Sequence, residues 1–447
     1  MRTFANNHAE PHDRGRPQYR SKTLRQITLF LSPLWRNPQI AAVVALTTFI
    51  MSGVGLVSPI LSVYAATFSA SATMAGMIIT LFGIGRLIVN FPAGLLSQRI
   101  GHRPLLMAGP FILVVGSIVA ALATSLETLL AARFVQGIGS GIYMTVSSAA
   151  IATLAQPTER GRLMALYQGG MLLGTGLGPA IGGFLASHFG YTAPFWAYAV
   201  VCTVALFISW TTVDRQSTAI ENTECAAKAS ALPSETKPIL RDTPFLLACV
   251  INFGVFFTRT ASQWQAIPLL AHQRYDMGVD KIGLALTMLA AMNFLTLPLT
   301  GALVDRYGAR RLTFVSTIVT AIALLWIALG ESVHMMWIGV AILGIGGALN
   351  GPATAAYAAE IVPVRQYGAA MGLMRTFGDA GFVFGPIMIG TLADLGSVGS
   401  AGGLIANAAL MAIAGLIFVS VRGPEISTTP AGPTGPITHD SKKDQIA

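Results

Sequence analysis

Charge is scarce in this chain. Of its 447 residues, 11% are Asp, Glu, Lys or Arg and 53% are hydrophobic, whereas a water-soluble domain is about one-quarter charged. With a mean hydropathy of +0.64, the shortage excludes an ordinary soluble enzyme and makes lipid the solvent the chain needs. Cysteine is scarcer still. Cys202, Cys225 and Cys249 show neither C-x-x-C nor Cys/His spacing, so neither a disulfide framework nor a metal site is expected. A Walker-type phosphate loop is missing, and no two carboxylates share an apolar run. Most of the seven histidines fall in polar segments. These gaps argue against an ATP-driven pump and against an intramembrane hydrolase or metalloenzyme, so no enzymatic activity and no cofactor are expected. No interleaved basic and aromatic platform occurs, which leaves no expectation of a nucleic-acid partner.

Long apolar runs are what the chain has in quantity. Crossing a hydrocarbon core of roughly 30 Å takes about 20 apolar residues in a helix. Twelve stretches qualify, near 40–66, 73–96, 105–124, 128–153, 163–187, 192–212, 244–270, 280–303, 312–330, 334–359, 367–393 and 401–421. The predicted fold class is therefore an all-α membrane protein of 12 transmembrane helices. Polar sequence divides it into a tail at 1–39, a six-helix bundle at 40–212, a linker at 213–243, a second six-helix bundle at 244–421 and a tail at 422–447. No short apolar run with a small-residue cleavage site follows the first 39 residues, which argues against a cleaved signal peptide.

Basic residues set the expected orientation. With the N-terminus taken as cytoplasmic, 22 of the 28 Lys and Arg fall on its side of the membrane and two, Arg274 and Lys281, on the other. By the positive-inside rule both termini are expected in the cytoplasm of a cell whose inner membrane holds the protein. The net charge of +9 then reads as an orientation signal facing anionic lipid.

One offset, 207 residues, aligns the two halves. Gly94, Leu96, Arg99, Gly101 and Arg103 fall on Gly301, Leu303, Arg306, Gly308 and Arg310. Gly137 and Gly139 fall on Gly344 and Gly346, and Gly174, Gly178 and Pro179 on Gly381, Gly385 and Pro386. A register held over nearly a hundred residues is the mark of duplicated helical bundles, the usual build of secondary transporters.

The loop Gly94-Leu-Leu-Ser-Gln-Arg99-Ile-Gly101-His-Arg103 and its partner Gly301-Ala-Leu-Val-Asp305-Arg306-Tyr-Gly308-Ala-Arg310 resemble the G-x-x-x-D-R-x-G-R-R signature of the major facilitator superfamily. Glycine serves a sharp turn where two helix ends approach, and arginine pairs with helix C-termini, carboxylates and lipid headgroups. Arg133-Phe-Val-Gln136-Gly137 resembles the superfamily's R-x-x-Q-G motif. Gly174-x-x-x-Gly178-Pro179-x-x-Gly182-Gly183 resembles the span-five motif of the twelve-span drug/proton antiporters, with Ala165 in place of its leading glycine. Close helix packing of the small-xxx-small kind also explains those glycines. The resemblance implies alternating access around a midplane site, a small-molecule substrate, proton coupling and a monomer. It also implies a cytoplasmic latch made by the signature's Asp, a place that Gln98 takes in the first copy.

Five charges fall deep inside spans, away from the span ends, and none has a charged counterpart 207 residues away. Arg86 matches Asn293, Arg133 matches Val340, Arg259 matches Ser52, Arg375 matches Gln168 and Asp379 matches Leu172. Each costs roughly 2.5–3.5 kcal/mol at mid-membrane before it is paired, so these residues are the candidate substrate and coupling groups. Arg86, Arg133, Arg259, Arg375 and Asn293 are expected at the substrate, and Asp379 at a proton. Arg375 and Asp379 are four apart on one helical face, which admits a purely structural ion pair as well. Tyr64, Tyr143, Gln168, Gln263, Trp264 and Asn350 are weaker candidates. Four arginines against one aspartate suit an anionic, zwitterionic or neutral amphiphile. The expected function is proton-coupled efflux of small amphiphilic compounds, and the alternative is an importer or facilitator of organic anions.

Overall fold

The computed structural model describes residues 37–154, 160–212, 242–362, 367–395 and 399–421. Both expected tails, except residues 37–39 of the first, and nearly all of the 213–243 linker lie outside them. The first bundle comprises α1 (Pro38–Val57, continued after a turn by Leu61–Thr67), α2 (Ala72–Ile100), α3 (His102–Ala121), α4 (Leu126–Leu154), α5 (Arg160–Phe189) and α6 (Ala193–Thr212). The second comprises α7 (Thr243–Tyr275), α8 (Val279–Tyr307), α9 (Ala309–Leu329), α10 (Val333–Ile361), α11 (Tyr367–Leu395) and α12 (Gly399–Ser420). Even the 20-residue helices reach about 30 Å at 1.5 Å per residue.

Eleven of these helices are long and apolar enough to cross a membrane. The twelfth, α4, has the length at 29 residues, but Arg133, Gln136, Ser140 and Ser147 dilute its hydropathy. All four are buried, so the polarity lies inside the bundle and α4 completes the set.

Span one differs from the continuous helix expected over 40–66. It breaks at Ser58–Ile60 because Pro59 has no N–H to give and its ring crowds the preceding turn. Pro92, Pro110, Pro179, Pro298, Pro352 and Pro386 all sit inside unbroken helices, where neighbouring helices hold the kinked segment together. Within α7 the backbone widens to a π-helix over Thr258–Ala266.

Packing repeats the sequence register. In the first bundle α1 packs on α5 and α6, α2 on α4, and α3 on α4 and α6; α7 through α12 pack on one another in the same pattern. Gly137 lies against the backbone of Phe82 and Gly344 against that of Leu289, again 207 residues apart. The two signature loops turn alike, with Gly101 at φ 84° and Gly308 at φ 83°, a region where any Cβ would be strained. Beyond each turn an arginine caps the sixth helix of its own bundle. Arg103 Nη2 donates to the Trp210 carbonyl at 3.0 Å, and Arg310 Nη2 donates to Val419 O at 3.3 Å and to Val421 O.

The bundles meet through α2 with α11 and through α5 with α8, and they meet at one end. Gly76 sits against the Pro386 backbone, and Gly283 against that of Pro179. Each of these pairs is the other's copy at 207 residues. Thr80 Oγ1 donates to Val383 O at 2.7 Å, and its counterpart Thr287 Oγ1 accepts from Ala180 N at 2.9 Å. Toward the end that carries the signature loops, here called the basic end, the contacts cease. No atom comes within 4 Å of where a Cβ would stand on Gly169, Gly301 or Gly372, and Gly94 has only Thr145 of its own bundle nearby. The molecule is closed at the apposed end and open at the basic end.

Candidate functional site

A cavity of about 290 Å³ lies between the bundles beneath the closed end. The π-helical stretch of α7 supplies Arg259, Gln263 and Trp264 to its wall, α8 supplies Asn293, α10 supplies Asn350 and α5 supplies Thr175. A π-turn inserts an extra residue and rotates those that follow it, a distortion common at functional sites. Here it is anchored from behind by Asn407 of α12, which is fully buried. Its amide nitrogen donates to Thr258 Oγ1 at 3.1 Å and to Ser262 Oγ at 2.7 Å.

Four of the five intramembrane charges converge on the space between cavity and opening. Arg86 from α2 reaches across to the second bundle, its guanidinium 5.6 Å from the centre of the Phe382 ring. Phe382 meets Trp264 edge-on at 5.7 Å, and Arg259 lies 5.8 Å from the Trp264 ring. Two cations thus flank a pair of aromatic faces, an attraction worth about 0.5–2 kcal/mol each. Arg375 Nε and Asp379 Oδ2 form a 3.4 Å ion pair on α11, the single ion pair among the described residues. The Arg375 side chain is 52% exposed and that of Asp379 only 12%, so the arginine faces the opening and the carboxylate lies behind it. Arg86 is within electrostatic reach of Arg375, Asp379, Arg259 and the Tyr167 phenol. Three positive charges share one negative charge.

Arg133 is elsewhere. It is 2% exposed, donates from Nη1 to Gln136 Oε1 at 2.7 Å and from Nε to Ile78 O at 3.4 Å, and stacks 4.5 Å from the centre of Phe82. Gln136 passes the connection to Ser117 Oγ at 2.9 Å. The cation therefore ties α4 to α2 and α3 inside the first bundle and does not line the cavity.

Among the weaker candidates, Gln263, Trp264 and Asn350 line the cavity and Gln168 is exposed. Tyr64 is buried, stacked on Tyr191 at 5.6 Å. Tyr143 is buried and shares a 3.1 Å hydrogen bond with Thr47. The span-five glycines are packing surfaces. Gly174, Gly178 and Gly182 lie against the α1 backbone, and Gly183 with Pro179 lies against α8. Gln98, Arg99, Asp305 and Arg306 are exposed at the open end. No cluster of three His, Cys, Asp or Glu capable of holding a metal occurs among the described residues.

Two features escaped sequence reasoning. Asn407 was hidden in the last apolar span, where a lone Asn was the available signal. Asp394 sits one residue beyond the expected end of span eleven. Its carboxylate accepts from Ala72 N at 2.8 Å, Thr73 N at 2.9 Å and Thr73 Oγ1 at 2.6 Å, pinning the start of α2 to the end of α11. Ser187 stands at the position equivalent to Asp394 and Asp280 at that of Thr73, so the duplicated arrangement is not repeated in the other half.

Comparison with known proteins agrees with this architecture. The family model of the Major Facilitator Superfamily matches residues 43–280 and 248–442. An uncharacterized MFS-type transporter of Methanocaldococcus jannaschii is 25% identical over 354 residues, 79% of this chain and 91% of that protein. Multidrug resistance protein 1 of Bacillus subtilis is 26% identical over 348 residues, 77% of this chain and 86% of that protein. The crystal structure of a bacterial homologue of the human lysosomal transporter Spinster, inward-facing and occupied, superposes with a TM-score of 0.70 at 15% identity, covering 91% of this chain and 97% of that one. A duplicated twelve-helix bundle with a polar cavity between its halves, matched along nearly all its spans, is a multi-pass membrane transporter of small molecules and not an enzyme: the chain belongs to the major facilitator superfamily.

Proposed function

We propose that the protein is a proton-coupled secondary active transporter of small amphiphilic compounds that carry an anionic group, working by alternating access as a monomer. The observation that carries this reading is the group of Arg86, Arg375 and Asp379 within electrostatic reach of Arg259, which lines an aromatic-walled cavity. A mid-membrane cation is expensive, and three of them near the open end are kept where a ligand repays the expense. Trp264 and Phe256 offer the apolar part of such a ligand its surface, and Gln263, Asn293 and Asn350 offer hydrogen bonds. Asp379 is the proton carrier. The basic end faces the cytoplasm of a cell whose inner membrane holds the protein, in line with the positive-inside rule, so the conformation described is inward-facing.

Efflux is the direction favoured by the likeness to Multidrug resistance protein 1 of Bacillus subtilis and by the span-five motif. Uptake of organic anions is favoured by the arginine excess. Transport into sealed vesicles under an imposed pH gradient, with a panel of organic anions and drug-like cations, tests the reading. Substrate-dependent collapse of the gradient by the wild type and not by Asp379→Asn is the expected result. An unaffected Asp379→Asn refutes proton coupling through that residue, and unchanged anion transport by Arg259→Ala refutes the assigned substrate contact.

A further inference from the structure

We propose that a proton and an anionic substrate bind this site together and not in competition, so that the protein moves them across the membrane in the same direction. The inference rests on the anion reading above and adds the sign of the coupling, which that reading leaves open.

The charges that face Asp379 determine the sign. Its own helix contributes Arg375 and α2 contributes Arg86, while Arg259 of α7 lies within electrostatic reach of both arginines. The facing stretch of α12 has no ionisable residue between Gly399 and Ser420, and from α5 the Tyr167 phenol lies near Arg375 and Arg86. With Asp379 ionised the four charged groups sum to +2. With Asp379 protonated they sum to +3.

The carboxylate is also a resident competitor. It occupies the Nε side of the Arg375 guanidinium, the most exposed of the three arginines, through one long contact of 3.4 Å. Protonation takes one proton from the aqueous opening, turns the carboxylate into a neutral acid and frees the Arg375 N–H for an anionic oxygen of the substrate. Both changes favour an anion. Because coupling between two ligands is reciprocal, the bound anion draws a proton onto the site by the same factor. Removing one unit charge about 6–8 Å from the anion, at an effective dielectric constant of about 20, changes its affinity about thirty- to a hundredfold. A cationic substrate would reverse the sign. It would need the ionised carboxylate, compete with the proton and be exchanged for it.

The test is calorimetric titration of naphthalene-1-sulfonate into the full-length protein in lipid nanodiscs, at several pH values and in buffers of different ionisation enthalpy. This probe is an amphiphile whose charge is fixed across the neutral range, so any proton that moves belongs to the protein. The expected result is binding that tightens about thirty- to a hundredfold as pH falls, with roughly 0.7–0.8 of a proton taken up per anion at the pH where uptake peaks. Asp379→Asn, a neutral isostere, binds tightly at every pH and takes up none; Asp379→Glu retains the uptake. Should the Asn variant fail to fold, the wild-type proton count decides the question alone. Sulfonate binding with proton release, or with no proton exchanged, overturns the coupling while the anion site stands. Failure of the sulfonate to bind at any pH overturns the anion reading beneath it.

Discussion

Removing the carboxylate of Asp394 should loosen the closed end and shift the transporter toward the state that is open there. Asp394 caps the first turn of α2 from a helix of the other bundle, accepting three hydrogen bonds of 2.6–2.9 Å. Loss of a helix N-cap costs about 0.5–2 kcal/mol, and a negative charge at a helix N-terminus adds about 0.3–1 kcal/mol. The residue is solvent-exposed, which keeps the total toward the lower end, roughly 1–2 kcal/mol. The interaction exists only while the two bundles touch at this end, so the whole of it biases one conformation. An equilibrium between the two states should therefore move by about five- to thirtyfold in Asp394→Ala, and by less in Asp394→Asn, which keeps one acceptor. Spin labels at Ile100 and Tyr307, equivalent positions that are each 49% exposed at the open end, report the separation of the bundles. In a background without the three native cysteines, the alanine variant should gain a population with a shorter label-to-label distance. A distance distribution that superposes on the wild type would refute the latch.

Four further substitutions probe the scaffold. Asn407→Leu leaves the Ser262 hydroxyl and the π-turn of α7 without their anchor and should cost about 1–3 kcal/mol, seen as a lower thermal unfolding midpoint in detergent together with weaker sulfonate binding. Gly182→Val drives a side chain into the Leu56 backbone and should cost at least about 1–3 kcal/mol. Gly169→Ala, which meets open space, should leave the unfolding midpoint unchanged or raise it; equal losses from the two would contradict the packing described. Arg133→Ala leaves the buried Gln136 carbonyl unpartnered and should lower the yield of folded protein, with a penalty of about 1–3 kcal/mol. Protein that does fold should bind the sulfonate normally, and a selective loss of binding would place Arg133 in the site after all.

The repeat was legible because packing demands it. A glycine that lets two helix backbones touch is needed at the same place in each copy, so Gly137 and Gly344, or Pro179 and Pro386, announce the shared scaffold from sequence alone. The intramembrane charges were legible as exceptions for the same reason, and four of the five do converge. Arg133 shows where that reasoning stops. Residue type gives the expense of a buried cation but not the face of the helix it occupies, and a cation enclosed by Gln136, Ile78 and Phe82 is written in the same letter as one open to water. Proline is likewise ambiguous, since Pro59 interrupts a helix and Pro92 does not. The difference lies in tertiary support that no local pattern records. The π-turn of α7 and the clamp made by Asp394 depend on contacts 149 and 321 residues apart along the chain, beyond the reach of any local pattern or of a repeat offset that their partners do not share.

The glycines of the gating helices have a consequence for motion. At the closed end Gly76, Gly183, Gly283 and Gly390 each press against the backbone of the opposite bundle. The same four helices carry Gly94, Gly169, Gly301 and Gly372 toward the basic end, and three of those four touch nothing. A glycine inside a helix gives up about 0.5–1 kcal/mol relative to alanine, and here those three recover none of it. Their smooth stretches are a seam already cut, along which the bundles can shut at the basic end as they part at the other. A rocking molecule has to be two well-packed proteins in one sequence, and these empty glycines are the outline of the second.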